Sequence, residues 1–170
     1  MLIDHVGAVL FPREWVFRYI GRISFPIFCF LLTQGFIYTR DIRKYMVRLG
    51  VFSILSEIPY DLAFHGKLVD LEYQNVFFTL LLGVILMYML ERTKELPLKI
   101  FIILLVMTAA DFLRTDYGYR GILLISIFYF FHRYRLAGLA IGALWNYLWY
   151  NRIQEYGALA LIPLALYNGE

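Results

Sequence analysis

Cysteine is nearly absent: of 170 residues only Cys29 is one, and it sits inside an apolar run. An intrachain disulfide is therefore excluded, and cysteine usage says nothing about redox compartment. Charge is scarce as well. Asp, Glu, Lys and Arg make up 17% of the chain, against about 25% in soluble domains. The basic excess, 16 Lys and Arg over 13 Asp and Glu, is too small and too broken up by apolar runs to track a phosphate backbone, so nucleic acid is not an expected partner. The sequence shows no Gly-x-Ser-x-Gly elbow, phosphate-binding loop, His-Glu-x-x-His or Cys/His metal spacing. A covalent serine mechanism and a metal centre therefore have no support. Repeats, linkers and low-complexity tracts are missing too, and a single domain over residues 1–170 is expected.

What is there is apolar. Hydrophobic residues form 61% of the chain and the mean hydropathy is +0.65. A soluble protein of this size cannot keep so much apolar surface from water, and a polytopic membrane protein is the reading that survives. A helical span needs about 20 residues, so the length allows about eight spans. Polar punctuation divides the chain into the apolar segments Met1–Phe11, Ile23–Tyr38, Tyr45–Phe64, Val76–Leu90, Leu98–Leu113, Gly121–Phe131, Leu136–Tyr150 and Tyr156–Tyr167. Several fall short of a full span, so six to eight crossings are expected. Backbone groups in lipid must be satisfied internally, and continuous runs such as Ile100–Val106 do not alternate as barrel strands do. The predicted fold is an all-α transmembrane bundle.

Met1–Phe11 is about half a span, and neither a charged leader nor a small-residue cleavage site precedes it, so no cleavable signal peptide is expected. Orientation follows from basic residues in the connections. Arg40, Arg43, Lys44 and Arg48, then Arg92, Lys94 and Lys99, then Arg133 and Arg135 fall on one side and mark it as cytoplasmic. Arg18 and Arg22 fall on the opposite side, which marks them as candidates for a role inside the bundle.

Ionisable groups in membrane segments are costly and mark sites by default. Asp4 and His5 are adjacent and point about 100° apart on a helix, so one of them is expected to pair with another helix. His5 has the range of a general base; the alternative is an interhelical polar contact. Arg18 and Arg22 stand at i and i+4 on one helical face, an arrangement that suits a clamp on phosphate or carboxylate. Gly21 between them admits a close approach. Snorkelling to the interface is the competing reading. Glu57 lies inside an apolar stretch beside Pro59 and shares a face with Asp61 if the helix continues. It is a candidate counter-ion for Arg18 or Arg22, or half of a purely structural ion pair. Weaker signals are Gln74-Asn75 with Thr79 one turn on, and Asp111, Asp116-Tyr117-Gly118 and Arg120 around the fifth connection. Trp145, Tyr147, Trp149 and Tyr150 read as an interfacial aromatic belt, and His132 as a solvated loop residue.

The ordered series Asp4-His5-x-Gly7, Arg18-x-x-Gly21-Arg22-x-x-Phe25-Pro26-x-Phe28, Thr39-Arg40, Tyr45-x-x-Arg48-Leu49, Ser56-Glu57-x-Pro59, Asn75-x-x-x-Thr79, Asp116-Tyr117-Gly118 and Tyr167-Asn168-Gly169 resembles the TraX family. These are membrane-integral acetyltransferases of the type that acetylates the amino terminus of F-pilin. Members usually carry more residues before the Asp-His pair and continue past Asn-Gly into a helix with a Tyr-Pro-x-His-like motif. By that comparison this chain is expected to be missing part of a first helix and a C-terminal helix, with its activity impaired if the distal histidine contributes.

The resemblance implies acetyl-CoA as co-substrate, no metal, a bacterial inner-membrane location and a pilin-type or other acceptor. The residue chemistry is compatible with it. Acetyl transfer needs a base, for which His5 with Asp4 is the candidate, and donors for the developing oxyanion. Arg18, Arg22, Glu57, Asn75 and Asp116 are the candidate substrate-binding residues. Arg40, Arg43, Lys44 and Arg48 are the candidates for the phosphates of acetyl-CoA. The acceptor can be an amine or a hydroxyl. The competing function is a substrate-binding membrane subunit of a vitamin-type importer, which predicts tight ligand binding without acetyl-CoA turnover. A non-catalytic bundle ranks last, since it leaves His5, Arg22 and Glu57 without a role.

Overall fold

The computed structural model describes residues 2–70, 72–149 and 153–167. Tyr150, Arg152 and the Asn168-Gly169 pair of the closing motif lie outside them. The named elements among the described residues are all helical: α1 (Leu2–Leu10), α2 (Trp15–Arg22), α3 (Ser24–Tyr38), α4 (Ile42–Phe64), α5 (Val76–Arg92), α6 (Leu96–Phe112), α7 (Gly118–Phe130), α8 (Arg135–Tyr147), a 3₁₀ helix (Gln154–Ala160) and α9 (Leu161–Leu166). The expected apolar segments correspond to helices, with two differences. Trp15–Arg22, expected as a connection, is helix α2, because its apolar residues and its two arginines segregate to opposite faces. The last segment is split into a 3₁₀ turn and a short α-helix. By length and composition, one helical run among the described residues, Trp15–Tyr38, is long and apolar enough to cross a membrane.

The chain forms two compact units, residues 1–31 with 127–170, and residues 32–126. In the first, α1 and α2 make a tight helical hairpin. Added Cβ atoms at Gly7 and Gly21 would collide with Phe17 and Asp4 respectively. Small residues at these two points let the helices touch. Elsewhere in this unit α8 packs on the 3₁₀ helix. Gln154 Nε2 donates to Asn146 Oδ1 at 2.9 Å, and Asn146 Nδ2 donates to the Gly142 carbonyl at 2.8 Å. Arg135 donates to the carbonyls of Leu164 and Tyr167 at the end of α9 and to that of Ala165 at 3.3 Å. It thereby satisfies orphan acceptors of a helix C-terminus.

In the second unit α5 is the central helix, packed between α4 and α6, with Val84, Leu86, Met87 and Leu90 buried. The polarity of α4 is inverted relative to a helix of a soluble protein. The buried side of α4 carries Ser53, Glu57 and Asp61, while Val47, Val51, Ile54, Leu55, Ile58 and Leu62 face outward. Outward residues on α6 include Leu98, Ile100, Phe101, Leu104 and Leu105. A soluble amphipathic helix turns its apolar stripe inward; here the stripe faces out and the ionisable groups face in. Pro59 is accommodated inside α4, which continues to Phe64, so Glu57 and Asp61 do share one face. Gly66, at φ 65°, ends the helix in a conformation that favours glycine. Residues 66–70 and 72–75 then form a strap between α4 and α5.

Candidate functional sites

Two polar clusters stand out, one in each unit. In the α1–α2 hairpin the buried Asp4 carboxylate faces both arginines, Oδ1 at 3.5 Å from Arg18 Nη1 and Oδ2 at 3.5 Å from Arg22 Nη2. Arg18 Nη1 also reaches the Asp4 carbonyl at 3.5 Å. The i,i+4 spacing places two guanidinium groups on one face, and the shared carboxylate offsets their repulsion. Gly21 is the contact point that makes this possible, since it seats the backbone of Asp4. The carboxylate that meets Arg18 and Arg22 is thus Asp4, whereas Glu57 is bonded to Asn75. Two guanidinium groups around one carboxylate leave the cluster with net positive charge. His5 is half-buried next to it, within electrostatic reach of Asp4, Arg18 and Arg22.

In the second unit the cluster is acidic. Asn75 is the N-cap of α5, its Oδ1 accepting from the Phe77 N–H at 2.9 Å. Its Nδ2 donates to Glu57 Oε2 and, at 2.9 Å, to the Ser53 carbonyl, while its backbone N–H donates to Glu57 Oε2 at 3.3 Å. One turn along the helix Thr79 is fully buried, and its hydroxyl has no hydrogen-bond partner among the described residues. Asp61, fully buried, accepts the Asp70 backbone N–H on Oδ2 at 2.6 Å. Its Oδ1 lies 3.6 Å from His65 Nδ1, and Asp70 Oδ2 lies 3.9 Å from the same nitrogen. Asp70 also accepts from the Glu72 N–H at 3.0 Å and pairs with Lys67 at 3.2 Å. The Glu72 N–H, then Lys67, hold its carboxyl below the usual carboxylate range. The rings of Tyr60 and Tyr73 flank His65, each with its centroid 6.0 Å away.

His65 is the residue that the sequence does not advertise, because it stands one position past the apolar run that ends at Phe64. The available signal is spacing: Ser53, Glu57, Asp61 and His65 recur every four residues. Beside the strap lies a groove of about 550 Å³ lined by Glu72, Gln74, Phe112, Leu113 and Arg114. Arg114 adopts φ 50°, a conformation L side chains rarely take.

The remaining predicted residues are placed as follows. Arg40, Arg43, Lys44 and Arg48 are exposed at the α3–α4 junction and the first turns of α4. Asp41 caps α4 and pairs with Lys44 at 3.3 Å. The Lys44 backbone N–H holds the Asp41 carboxyl below its ordinary range. Asp116 is exposed and within electrostatic reach of the Tyr60 hydroxyl, together with Glu57 and Asp61. Asp111 accepts the Tyr119 N–H at 2.8 Å and lies against Gly118, whose φ of 48° explains the glycine. His132 is exposed and its Nδ1 lies 2.7 Å from the Tyr129 carbonyl oxygen. No group of three His, Cys, Asp or Glu among the described residues is placed to hold a metal ion.

Comparison with known proteins covers nearly the whole chain. A probable fimbrial assembly protein, FimC of serogroup H1, from Dichelobacter nodosus is 32% identical over 130 residues, 69% of this chain and 52% of that protein. An uncharacterized protein, RP591, from Rickettsia prowazekii (strain Madrid E) is 30% identical over 83 residues, 49% of this chain and 30% of that protein. The chain thus spans about half the length, or less, of these curated relatives. No solved structure matches. The family model described as TraX protein matches residues 1–168, and the chain belongs to the TraX family.

Proposed function

We propose that this chain is a multi-pass protein of the bacterial inner membrane that transfers an acetyl group from acetyl-CoA to an amine, with a pilin amino terminus as the acceptor type. The family match over residues 1–168 carries the reading. The polarity of α4, with ionisable groups inside and aliphatic groups outside, and the aliphatic outer face of α6 support the membrane part, because both suit a lipid surrounding. The name of the Dichelobacter relative associates that protein with fimbrial assembly, which favours a pilin-type acceptor here.

In this reading His5 is the general base. As the acceptor nitrogen attacks the thioester carbonyl, His5 takes the nitrogen's proton and delivers it to the departing sulfur. The net positive charge around Asp4, Arg18 and Arg22 stabilises the developing oxyanion. The exposed bases Arg40, Arg43, Lys44 and Arg48 meet the phosphates of the co-substrate on the cytoplasmic side. The test is transfer of label from acetyl-CoA to a peptide with a free amino terminus, using the full-length protein in detergent. Transfer to that peptide, and none to its amino-blocked form, supports the proposal. Ligand binding without turnover overturns it in favour of a transport component.

A further inference from the structure

Within the second unit, the strap and the α6–α7 connection meet along the groove of about 550 Å³ lined by Glu72, Gln74, Phe112, Leu113 and Arg114. That size lies within the range of small-ligand sites, about 300–1,000 Å³. Backbone bonds fix its polar wall. The Gln74 N–H donates to the Arg114 carbonyl at 3.1 Å, and Gln74 forms a parallel bridge with Thr115. The Arg114 and Thr115 N–H groups donate to the Asp111 and Ala110 carbonyls at 3.0 and 3.1 Å. Together they hold Arg114 at φ 50°, a placement the surroundings must impose on an L residue. The wall carries one charge of each sign, Glu72 and Arg114, both exposed. The two are not paired with each other, and neither side chain has an ion-pair partner among the described residues. The Arg114 guanidinium lies 5.8 Å from the Tyr73 ring centroid.

The other wall is apolar and open, with Phe112 87% and Leu113 45% exposed. Phe112 continues an outward stripe of α6. At 3.6 residues per turn it shares a face with Leu105 and Phe101, and both are exposed. Thr108, between them on that face, turns its hydroxyl back onto the Leu105 carbonyl at 2.8 Å. From Phe101 to Phe112 the stripe runs about 16 Å, close to half of a hydrocarbon core of about 30 Å. That is the depth of one leaflet, and the stripe ends on two opposite charges.

We propose that this groove holds the headgroup of a phospholipid of the phosphatidylethanolamine class, with an acyl chain laid along Phe101, Leu105 and Phe112. The inference rests on the membrane part of the reading above. Arg114 takes the phosphate, for which a guanidinium fork is suited. Glu72 takes the ammonium, whose N–H groups donate to the carboxylate. A quaternary ammonium has no N–H to give, and an anionic headgroup without an amine brings like charge to Glu72. The polarity along the site, apolar stripe first and then one cation and one anion, is that of a lipid whose headgroup carries both signs.

The experiment titrates the full-length protein in mild detergent with phosphatidylethanolamine, phosphatidylcholine or phosphatidylglycerol of identical acyl chains, and counts bound lipid by native mass spectrometry. The wild type is expected to bind phosphatidylethanolamine about tenfold more tightly than the other two, the scale of one charge-assisted hydrogen bond. Glu72→Gln should bring phosphatidylethanolamine and phosphatidylcholine level. Arg114→Gly should weaken both by about tenfold. Glycine suits φ 50°, so this variant removes the guanidinium without straining the backbone, and an unchanged thermal midpoint shows that the fold is kept. Equal binding of the three lipids by the wild type, or a preference that survives both variants, overturns the site. A concentration-dependent dimer that forms in place of lipid binding and is lost in Phe112→Ser overturns it too, because a second copy then covers the stripe. A full-length protein that stays in solution without detergent or lipid removes the membrane reading and this proposal together. Equal lipid binding by a protein that needs detergent removes this proposal alone.

Discussion

The α1–α2 hairpin and the α4–strap region handle buried charge in different ways. In the hairpin one carboxylate faces two guanidinium groups, and each Asp4 oxygen has its own arginine at 3.5 Å. Along α4 the carboxyl groups hold backbone and amide donors with one oxygen, and the other oxygen, like Asp4 Oδ1, has no hydrogen-bond partner among the described residues. The first arrangement fixes a geometry and presents positive charge next to His5. The second leaves acid–base atoms in a row. In a protein with so few charges, both regions place theirs in the interior, the hairpin in a paired cluster and α4 in a row of acidic groups.

The largest expected effect breaks the hairpin. Asp4→Ala removes the carboxylate that both partly buried guanidinium groups face, and a loss of about 3 kcal/mol or more is expected, read as a lower thermal midpoint in detergent. Asn75→Ala comes next. It removes the α5 cap and two hydrogen bonds to Glu57, with an expected loss of about 2–3 kcal/mol and release of the strap to protease. Gly21→Ala sets a methyl group against the Asp4 backbone; a loss of about 1–3 kcal/mol is expected, with any activity falling in parallel because Arg18 and Arg22 shift.

The smallest effect sharpens the comparison by pH. The Asp70 carboxyl is held below its ordinary range by the Glu72 N–H and Lys67. A carboxyl whose folded value lies below its unfolded value adds stability above the unfolded value, about 3.9. That contribution is lost as pH falls through the lower folded value. Relative to the intrinsic rate at each pH, amide exchange of residues 66–70 and 72–75 should therefore quicken below about pH 4, and Asp70→Asn should remove that dependence while leaving the hairpin unchanged.

Most of the helices are legible as apolar runs, because each run is long enough to bury or to face lipid along its length. Trp15–Arg22 is less legible, since its mean hydropathy is diluted by Arg18 and Arg22, whose i,i+4 spacing is nonetheless readable. The pairing of those arginines with Asp4 is half legible: the need for an anion follows from charge, but the choice of Asp4 follows from the close seat at Gly21, a tertiary fact. His65 is hidden because run-by-run reading stops at Phe64, while the helix face carries on past it. The pinning of the strap by Glu57 and Asp61 is not readable from spacing alone, as it depends on how the strap folds back on α4.

The proposed chemistry meets its most direct test in acetyl transfer by full-length protein in which His5 is replaced by Gln. The substitution keeps a hydrogen-bonding side chain but cannot carry the proton. The account predicts that wild-type protein labels the peptide amine from acetyl-CoA, and that His5→Gln binds acetyl-CoA normally yet loses of the order of 10²-fold or more in turnover. Wild-type turnover in His5→Gln would contradict the assignment of His5 as the base.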